Sequence, residues 1–444
     1  MFSHRFLKDI IMPLADKAMG TSLTKYWKEI PKMNTWSSDE IVRWQDDKFR
    51  SLVKEAYENT VYYRRVMDEI GIVPSDIKGT SDIKLFPVLT KPMIRNHYNE
   101  LKSKRAREIR HKNCATGGST GDPMQYLQTN EAWSFANANE ILYRERTGFF
   151  FGMPFMALGS SSIHVGKTPS IKHRIYYGLK NKHSFSGINM TDVVMDGYLE
   201  YIKRERINFI YGYASSIYLL AKRAGEVGYP SEIKCCYPTS EVLRDEFYSS
   251  IKDAFGCQIL DSYGAQDGGI TAFSMDQSEF EIGYNSYVTL GKEVADNTRP
   301  ACITDLLNNV FPFINYQIGD LFEAGQRNST YNGQTVNRIL GRTSELIEMD
   351  NGARLTGLGF ATLFKDMPIE YFCIEKASGR KLVCHLIPEQ GFSAEHSKYI
   401  IKCIQNQFGT DVSVSVDFIQ DPILSKSGKR VYIIDGEKED KAIQ

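Results

Sequence analysis

The spacing of apolar residues over the first hundred positions is typical of helices rather than strands. Ser37-Ser38-Asp39-Glu40 has the composition of a helix N-terminus, because a serine hydroxyl and an acidic side chain three positions later can satisfy backbone N–H groups. That helix would carry four large apolar residues toward the interior: Ile41, Trp44, Phe49 and Leu52. We therefore predict a helical preface over residues 1 to about 100.

At the N-terminus, apolar residues recur at helical spacing and form one face: Phe6, Ile10, Leu14 and Ala18. Basic residues flank this face, which is also the pattern of a helix lying on a membrane surface. Asp9 and Asp16 interrupt the basic side, so a helix docked on its own domain is favoured, and peripheral membrane contact stays the alternative. The small-residue cleavage pattern of a signal peptide is not found.

From Trp133 to Phe255 the pattern alternates helical stretches with short apolar strands such as Phe209–Tyr211. Gly212 and Gly256 break the pattern where elements would end. That alternation favours an α/β core.

Beyond Gly341 the pattern changes to a smaller α+β arrangement. Strands are predicted at Tyr371–Ile374 and Lys381–Ile387, and a helix from about Ala394 to Phe408. We expect a large N-terminal domain over residues 1–342, with mixed sheets flanked by helices, and a small mobile C-terminal α+β domain over residues 343–444.

Residues 147–162 form a run rich in large apolar side chains: Phe149, Phe150, Phe151, Phe155 and Met156. Such runs more often belong to a domain core than to a ligand pocket, so core packing is favoured over the lining of an acyl pocket.

Charge is balanced over the 444 residues, with 54 Lys plus Arg against 54 Asp plus Glu. This balance leaves no global field to attract nucleic acid, which argues against nucleic-acid binding. Basic residues do cluster before the glycine-rich segment described below: Lys102, Lys104, Arg105, Arg107, Arg110 and Lys112. A solvated helix face is the favoured interpretation, and steering of polyphosphate or coenzyme A is the alternative.

The eight cysteines show no CxxC pair and no metal-ligand spacing, and the adjacent Cys235 and Cys236 could bond to each other only with strain. We expect reduced thiols in a cytoplasmic protein. No run of eighteen apolar residues occurs, so the sequence predicts no transmembrane segment.

Candidate chemistry begins at Cys114-Ala-Thr-Gly-Gly-Ser-Thr-Gly-Asp-Pro123. Glycines allow close backbone approach, and hydroxyls add donors, so the segment is suited to wrapping around a phosphate. It is not a Walker A loop, because the Gly-Lys-Ser/Thr ending is missing. Taken alone, an ordinary glycine-rich turn is an equally good interpretation.

Four further segments follow in order: Asp261-Ser-Tyr-Gly-Ala-Gln-Asp267, Thr304-Asp-Leu through Pro312-Phe-Ile-Asn-Tyr-Gln-Ile-Gly-Asp320, Gly341-Arg-Thr-Ser-Glu-Leu-Ile347 and Lys426-Ser-Gly-Lys429. Together with the glycine segment they resemble the motifs of adenylate-forming acyl ligases, from about residue 80 to the end. Phe86-Pro-Val-Leu-Thr-Lys91 and Thr239-Ser-Glu-Val-Leu243 are most similar to the phenylacetate–coenzyme A ligase group, and within it to a branch associated with capsular polysaccharide.

The resemblance implies an AMP-forming ligase that uses ATP and Mg²⁺ to convert a small-molecule carboxylic acid into an acyl-adenylate. The acyl group would pass to a thiol, coenzyme A among them, or to an amine in surface-polysaccharide synthesis. Implied cofactor contacts are Thr116, Gly117, Gly118, Ser119, Thr120, Gly121, Ser240, Glu241, Asp261, Ser262, Tyr263, Gly264 and Asp320.

Within that set, Thr116 to Gly121 would hold the β- and γ-phosphates, Tyr263 would pack on adenine, and Asp320 would accept hydrogen bonds from both ribose hydroxyls. Asp267 would bind magnesium. Arg342 and Lys429 would act in catalysis, with the Lys429 ammonium bridging the carboxylate and the α-phosphate.

Three positions depart from the family pattern. Asn315 replaces an arginine, Ser344 replaces a hinge aspartate, and Asp267 replaces a glutamate. These changes keep open a second hypothesis, in which the chain is a catalytically inactive nucleotide- or acyl-binding protein of the same fold.

Overall fold

The computed structural model of the 444-residue chain describes most of the sequence. The described residues are 4–116, 124–159, 178, 180–187, 190–294, 297–325, 330–342, 346–349, 354–356, 360, 364, 367–377, 380–424 and 430–436. Gly117 to Gly121, Ser344 and Lys429, all singled out above, lie outside these residues.

Helices dominate the first hundred residues, as the sequence predicts. A π-helical stretch, Leu7–Ile11, separates the first two helices, and two 3₁₀ turns, Pro74–Asp76 and Thr80–Leu85, precede the sixth. The helices are α1 His4–Phe6, α2 Met12–Met19, α3 Leu23–Met33, α4 Ser38–Asn59, α5 Val61–Ile70, α6 Lys91–Asn96, α7 Tyr98–Leu101, α8 Asn130–Glu145, α9 Asp192–Arg204, α10 Ala214–Glu226, α11 Asp245–Phe255 and α12 Ala394–Phe408.

The predicted start of α4 is confirmed in detail. Ser37 accepts a hydrogen bond from the Glu40 N–H, and the Glu40 carboxylate accepts one from the Ser37 N–H. This reciprocal cap fixes the helix start, and Ile41, Phe49 and Leu52 are buried behind it.

The N-terminal helix does pack on its own domain, but not through the face that its spacing indicated. Leu7 and Met12 are buried, whereas Ile10 is 47% exposed and Leu14 62% exposed. The wider π-helical turn over residues 7–11 shifts the phase of the helix, so simple 3.6-residue spacing selects the wrong side. Asp16 faces inward instead and accepts hydrogen bonds from the first turn of α3.

The strands of the chain are β1 His111–Ala115, β2 Gln125–Thr129, β3 Phe155–Gly159, β4 Lys182–Ser186, β5 Phe209–Tyr213, β6 Cys235–Thr239, β7 Gln258–Ala265, β8 Ile270–Met275, β9 Phe280–Ile282, β10 Ser286–Leu290, β11 Thr298–Asp305, β12 Tyr316–Ala324, β13 Thr335–Arg342, β14 Leu346–Glu348, β15 Arg354–Thr356, β16 Ile369–Ala377, β17 Lys381–Pro388, β18 Ser413–Phe418 and β19 Ile433–Asp435.

Within the described ranges, eleven strands form one mixed sheet in the order β10-β11-β12-β13-β9-β8-β7-β6-β5-β3-β4. The β4-β3-β5-β6-β7 half is parallel and the rest antiparallel. Helices α9, α10 and α11 cover the parallel half with an apolar interface that includes Leu199, Ile217 and Ile251. The predicted α/β core with a mixed, helix-flanked sheet is confirmed.

A smaller sheet, β18-β17-β16-β19, forms near the C-terminus and packs against α12. The core between them includes Ile374, Leu386 and Ile404. The predicted strands and helix of this region are confirmed, with α12 spanning Ala394–Phe408.

Three other sequence expectations have clear outcomes. Phe149, Phe151 and Phe155 are buried, which confirms core packing for the described part of the aromatic run. Residues 102–110 form turns, so the helix face expected for the basic cluster is wrong, and Arg105 there pairs with acidic side chains. All eight cysteines are free thiols.

A bilayer-spanning helix is not found in the described part of the chain, since none of its helices combines enough length with enough apolarity.

Candidate active site

The glycine-rich segment joins two strands of a hairpin. Strands β1 and β2 pair antiparallel, with Ala115 opposite Gln125. The Thr116 N–H donates to the Met124 carbonyl at 3.0 Å, and the Met124 N–H donates to the Thr116 hydroxyl at 3.0 Å. Thr116 therefore closes the hairpin, and phosphate contacts from this segment would come chiefly from the residues beyond it.

Asp320 is the centre of a cluster of predicted ribose residues. It lies on β12 directly opposite Arg342 on β13. The Tyr263 hydroxyl on β7 donates to the Asp320 carboxylate, and the Tyr263 ring meets Phe322 edge-on at 5.5 Å. Since β7 and β12 are separated by three strands in the sheet order, the sheet curves strongly to bring Tyr263 and Asp320 together.

The Ser240-Glu241 motif follows β6 at the same edge, because Thr239 pairs with Ser262 on β7. Ser240 has a positive φ of 67°, which turns the chain sharply after the strand. The Glu241 carboxylate accepts a hydrogen bond from the Ser215 N–H at 2.9 Å, in the first turn of α10. Glu241 thus has a structural partner that fixes the turn.

Side chains along β7 alternate between two faces. The Ser262 hydroxyl is buried and donates to the Leu260 carbonyl at 3.2 Å, so this side chain is occupied within the fold. Asp261, on the other face, lines a cavity of about 170 Å³ together with Leu243, Ser274 and Ile339. Burial raises the pKa of the Asp261 carboxyl to about 7.

Asp267, the predicted magnesium residue, lies in the turn after β7. Its carboxylate accepts a hydrogen bond from the Tyr316 hydroxyl at 2.9 Å and lies 3.7 Å from the Lys91 ammonium. Sequence reasoning used the segment ending at Lys91 only as a mark of resemblance, and it missed Lys91 and Tyr316 as partners of this carboxylate. Only the position of Lys91 inside a recognised motif could have suggested it.

Asp305, in the Thr304-Asp-Leu motif, lies beneath this turn and is 1% exposed. Its Oδ1 accepts a hydrogen bond from the Leu307 N–H at 3.1 Å, whereas Oδ2 has no hydrogen-bond partner within the described part of the chain. Gly269 has a φ of 68°, and a Cβ there would meet Asp305 Oδ2 at 2.2 Å. Asp305 and Gly269 therefore pack directly together under the Asp267 turn.

Burial raises the pKa of Asp305 to about 7, well above the value of an unfolded aspartate. The folded state then holds a proton that the unfolded state releases, so this group's contribution is complete below pH 4 and is lost as the pH rises toward 7. Between pH 5 and 8 we expect the wild type to lose about 2.5 kcal/mol more unfolding free energy than Asp305→Asn. Chemical denaturation across this range tests it, and parallel pH profiles of the two proteins would contradict it.

Asn315, one of the departures from the family pattern, has a structural role. It adopts a φ of 52°, a conformation that asparagine tolerates better than arginine. Its side-chain amide donates to the Phe86 carbonyl at 2.9 Å, and its own carbonyl accepts from the Leu89 N–H at 3.1 Å. Asn315 thus ties the segment that carries Lys91 to the edge of the sheet.

The chain on either side of Lys429 forms the base of a narrow loop. Leu424 pairs with Arg430, and the Val431 N–H donates to the Ile423 carbonyl at 2.9 Å. Tyr432, three residues after Lys429, lies against Arg244, which is three residues after Glu241. The structure therefore brings the segment following Lys429 to the Ser240-Glu241 side of the large sheet.

Known proteins resemble this chain over most of its length. A protein named CapK from Staphylococcus aureus is 20% identical over 423 residues, which cover 93% of each chain. The phenylacetate-coenzyme A ligase of Escherichia coli (strain K12) is 33% identical over 111 residues, covering 24% of this chain and 25% of that one. A crystal structure of 2-hydroxyisobutyryl-CoA ligase in the postadenylation state, in complex with 2-HIB-AMP, has a TM-score of 0.69 at 16% identity and 91% coverage of both chains. No protein-family model matches the chain.

Proposed function

We propose that this chain, a relative of the adenylate-forming acyl ligases in the phenylacetate–coenzyme A ligase-like group and its capsule-associated branch, activates a carboxylic acid with ATP. A carboxylate oxygen attacks the α-phosphorus of ATP, the bond to the β-phosphate oxygen breaks, and pyrophosphate leaves. The acyl-adenylate then passes its acyl group to an acceptor. The observation that carries this proposal is the meeting of Tyr263, Asp320 and Arg342, residues from three separate motifs, at one edge of the sheet.

Each motif has a part in this reaction. The backbone N–H groups of residues 117–121 would cradle the β- and γ-phosphates, and the Asp320 carboxylate would accept hydrogen bonds from the ribose diol. Asp261 and the Ser240-Glu241 backbone would border the adenine. Lys429 would offset the negative charge shared by the attacking carboxylate and the α-phosphate, because two anions must meet in a poorly solvated site.

Magnesium fits this site as an ion held jointly by protein and nucleotide. Asp267 offers one carboxylate, and no cluster of three or more acidic, histidine or cysteine ligands occurs in the described part of the chain. Mg²⁺ is commonly held by one or two carboxylates plus substrate phosphates, so Asp267 would suffice as the protein ligand. When bound, the ion neutralises phosphate charge, and Lys91 at 3.7 Å keeps the Asp267 carboxylate ionised and oriented.

The acceptor is coenzyme A or an amine, the latter as in an amide-forming step of surface-polysaccharide synthesis. Pyrophosphate release measured with a panel of carboxylic acids, with and without coenzyme A or amino sugars, identifies both substrates. Acid-dependent release that a thiol or an amine accelerates supports acyl transfer. ATP binding without acid-dependent release from any acid would instead support the inactive nucleotide-binding protein.

Asp261 gives a test of nucleotide choice that needs no acid substrate. Its carboxyl, with a pKa raised to about 7 by burial, can accept a hydrogen bond from the adenine amino group, whereas guanine presents a carbonyl oxygen there. We expect Asp261→Ala to lower the ratio of ATP to GTP affinity about tenfold, and Asp261→Asn to keep most of the preference, because its amide can still accept. Calorimetric titration with both nucleotides measures this, and an unchanged ratio in Asp261→Ala would remove Asp261 from the adenine site.

A further inference from the structure

Arg244 links the large sheet to the C-terminal sheet through stacked contacts. It precedes α11 in the N-terminal part of the chain. Its guanidinium carbon lies 3.3 Å from the centroid of the Tyr432 ring and 5.0 Å from that of Phe372. Phe372 belongs to β16 and Tyr432 directly precedes β19, so one side chain contacts two neighbouring strands of the smaller sheet.

The charges around Tyr432 suit this contact. Arg244 and Arg430 both approach the ring, and the Glu241 carboxylate lies near enough to act on the Tyr432 hydroxyl. A guanidinium over the negative face of an aromatic ring is attractive, and the attraction strengthens when the pair is shielded from water. Arg244 is suited to the position because a planar guanidinium can stack, which an ammonium cannot do equally well.

A second contact joins the same two parts of the chain, but it is weaker by nature. The Lys222 ammonium on α10 lies 2.6 Å from the Glu389 carboxylate, and both side chains are more than a third exposed. Exposed ion pairs contribute little in water, because solvent screens them and ordering two long side chains costs entropy. The Arg244 stack is therefore the stronger of these two contacts.

We propose that Arg244 is a positioning residue that holds the Lys429 loop at the nucleotide side of the large sheet during adenylation. This inference rests on the proposed function, because it gives Lys429 its role. Three residues separate Lys429 from Tyr432, so an anchored Tyr432 keeps Lys429 within about 10 Å of the stack. Arg244 follows Glu241 by three residues, so the same side chain couples the turn beside the adenine to the loop that carries the lysine.

The kinetic test compares three substitutions with wild type in acid-dependent exchange of pyrophosphate into ATP. We expect Arg244→Ala and Tyr432→Ala each to lower kcat about tenfold, the range of a shielded cation–π contact, without changing the Kd of ATP. The double substitution should be no worse than either single one, and Tyr432→Phe, which keeps the ring, should stay near wild type. Arg223→Ala is the matched control, since Arg223 pairs with Asp196 within the N-terminal part of the chain.

A readout that does not depend on activity comes from hydrogen exchange, measured on peptides covering residues 423–436 of the full chain. Arg244→Ala should speed exchange there, whereas Arg223→Ala should not. Equal exchange in Arg244→Ala and wild type, or additive kinetic losses in the double substitution, would overturn the positioning role. A wild type without acid-dependent exchange activity would overturn the proposed function, and the hydrogen-exchange comparison would still decide whether Arg244 holds the loop.

Discussion

Lys429→Ala is expected to slow acid-dependent adenylation by about a thousandfold while leaving the affinity for ATP within a few fold of wild type. The reason is that the attacking carboxylate and the α-phosphate are both anions, and their charge redistributes only as the new bond forms. An ammonium placed between them acts mainly on the transition state, so its loss lowers kcat far more than it weakens ground-state binding. Pyrophosphate exchange gives the rate, and calorimetry gives the Kd of ATP.

Lys426→Ala is the matched control for this prediction, because Lys426 lies in the same short segment and has the same charge. It should retain nearly full activity. Equal, small effects of the two substitutions would mean that Lys429 is an ordinary lysine of the loop. The inactive-protein hypothesis predicts a different outcome again, with ATP bound equally by both variants and no acid-dependent exchange in wild type.

Asp320→Ala is expected to weaken ATP binding about a hundredfold, the second-largest effect. A carboxylate can accept a hydrogen bond from each ribose hydroxyl, and each such charge-assisted bond is stronger than a neutral one. The substitution also removes the acceptor of the Tyr263 hydroxyl, so the cluster loses an internal contact as well. Calorimetry with ATP and with 2′-deoxyATP separates these two causes.

Wild type should bind ATP more tightly than 2′-deoxyATP, and Asp320→Ala should lose that preference because the ribose acceptor is gone. Tyr263→Phe is the control: it removes the hydroxyl that donates to Asp320 but keeps the carboxylate and the aromatic ring. It should retain the preference for ATP. A preference that survives in Asp320→Ala would place the ribose elsewhere.

Local patterns were enough to predict much of the fold. The capped start of α4 at Ser37, the strand at Phe209 and the helix from Ala394 to Phe408 all follow from short-range rules of capping, periodicity and chain breaks. The π-helical turn near the N-terminus shows the limit of those rules. A single wider turn rotates the buried face, and nothing in the spacing of Ile10 and Leu14 indicates it.

The site divides in the same way. Motif resemblance selected Tyr263, Asp320 and Arg342, and the structure brings their strands together, since the curvature of the sheet acts on all three. The partners of Asp267 and the contact of Arg244 with Tyr432 join residues more than 150 positions apart or from different sheets, and no local pattern encodes such contacts. Asn315 departs from the family at a position where a positive φ and backbone hydrogen bonds explain the asparagine.

The most direct test of the account is lysine labelling by an adenosine polyphosphate that carries a pyridoxal aldehyde, followed by borohydride reduction and peptide mass spectrometry. The account predicts modification of Lys429, suppressed by excess ATP with Mg²⁺ and strongly reduced in Asp320→Ala. This result would show that one nucleotide contacts both the ribose carboxylate and the C-terminal lysine. An unmodified Lys429 beside labelled lysines remote from Asp320 would contradict the account.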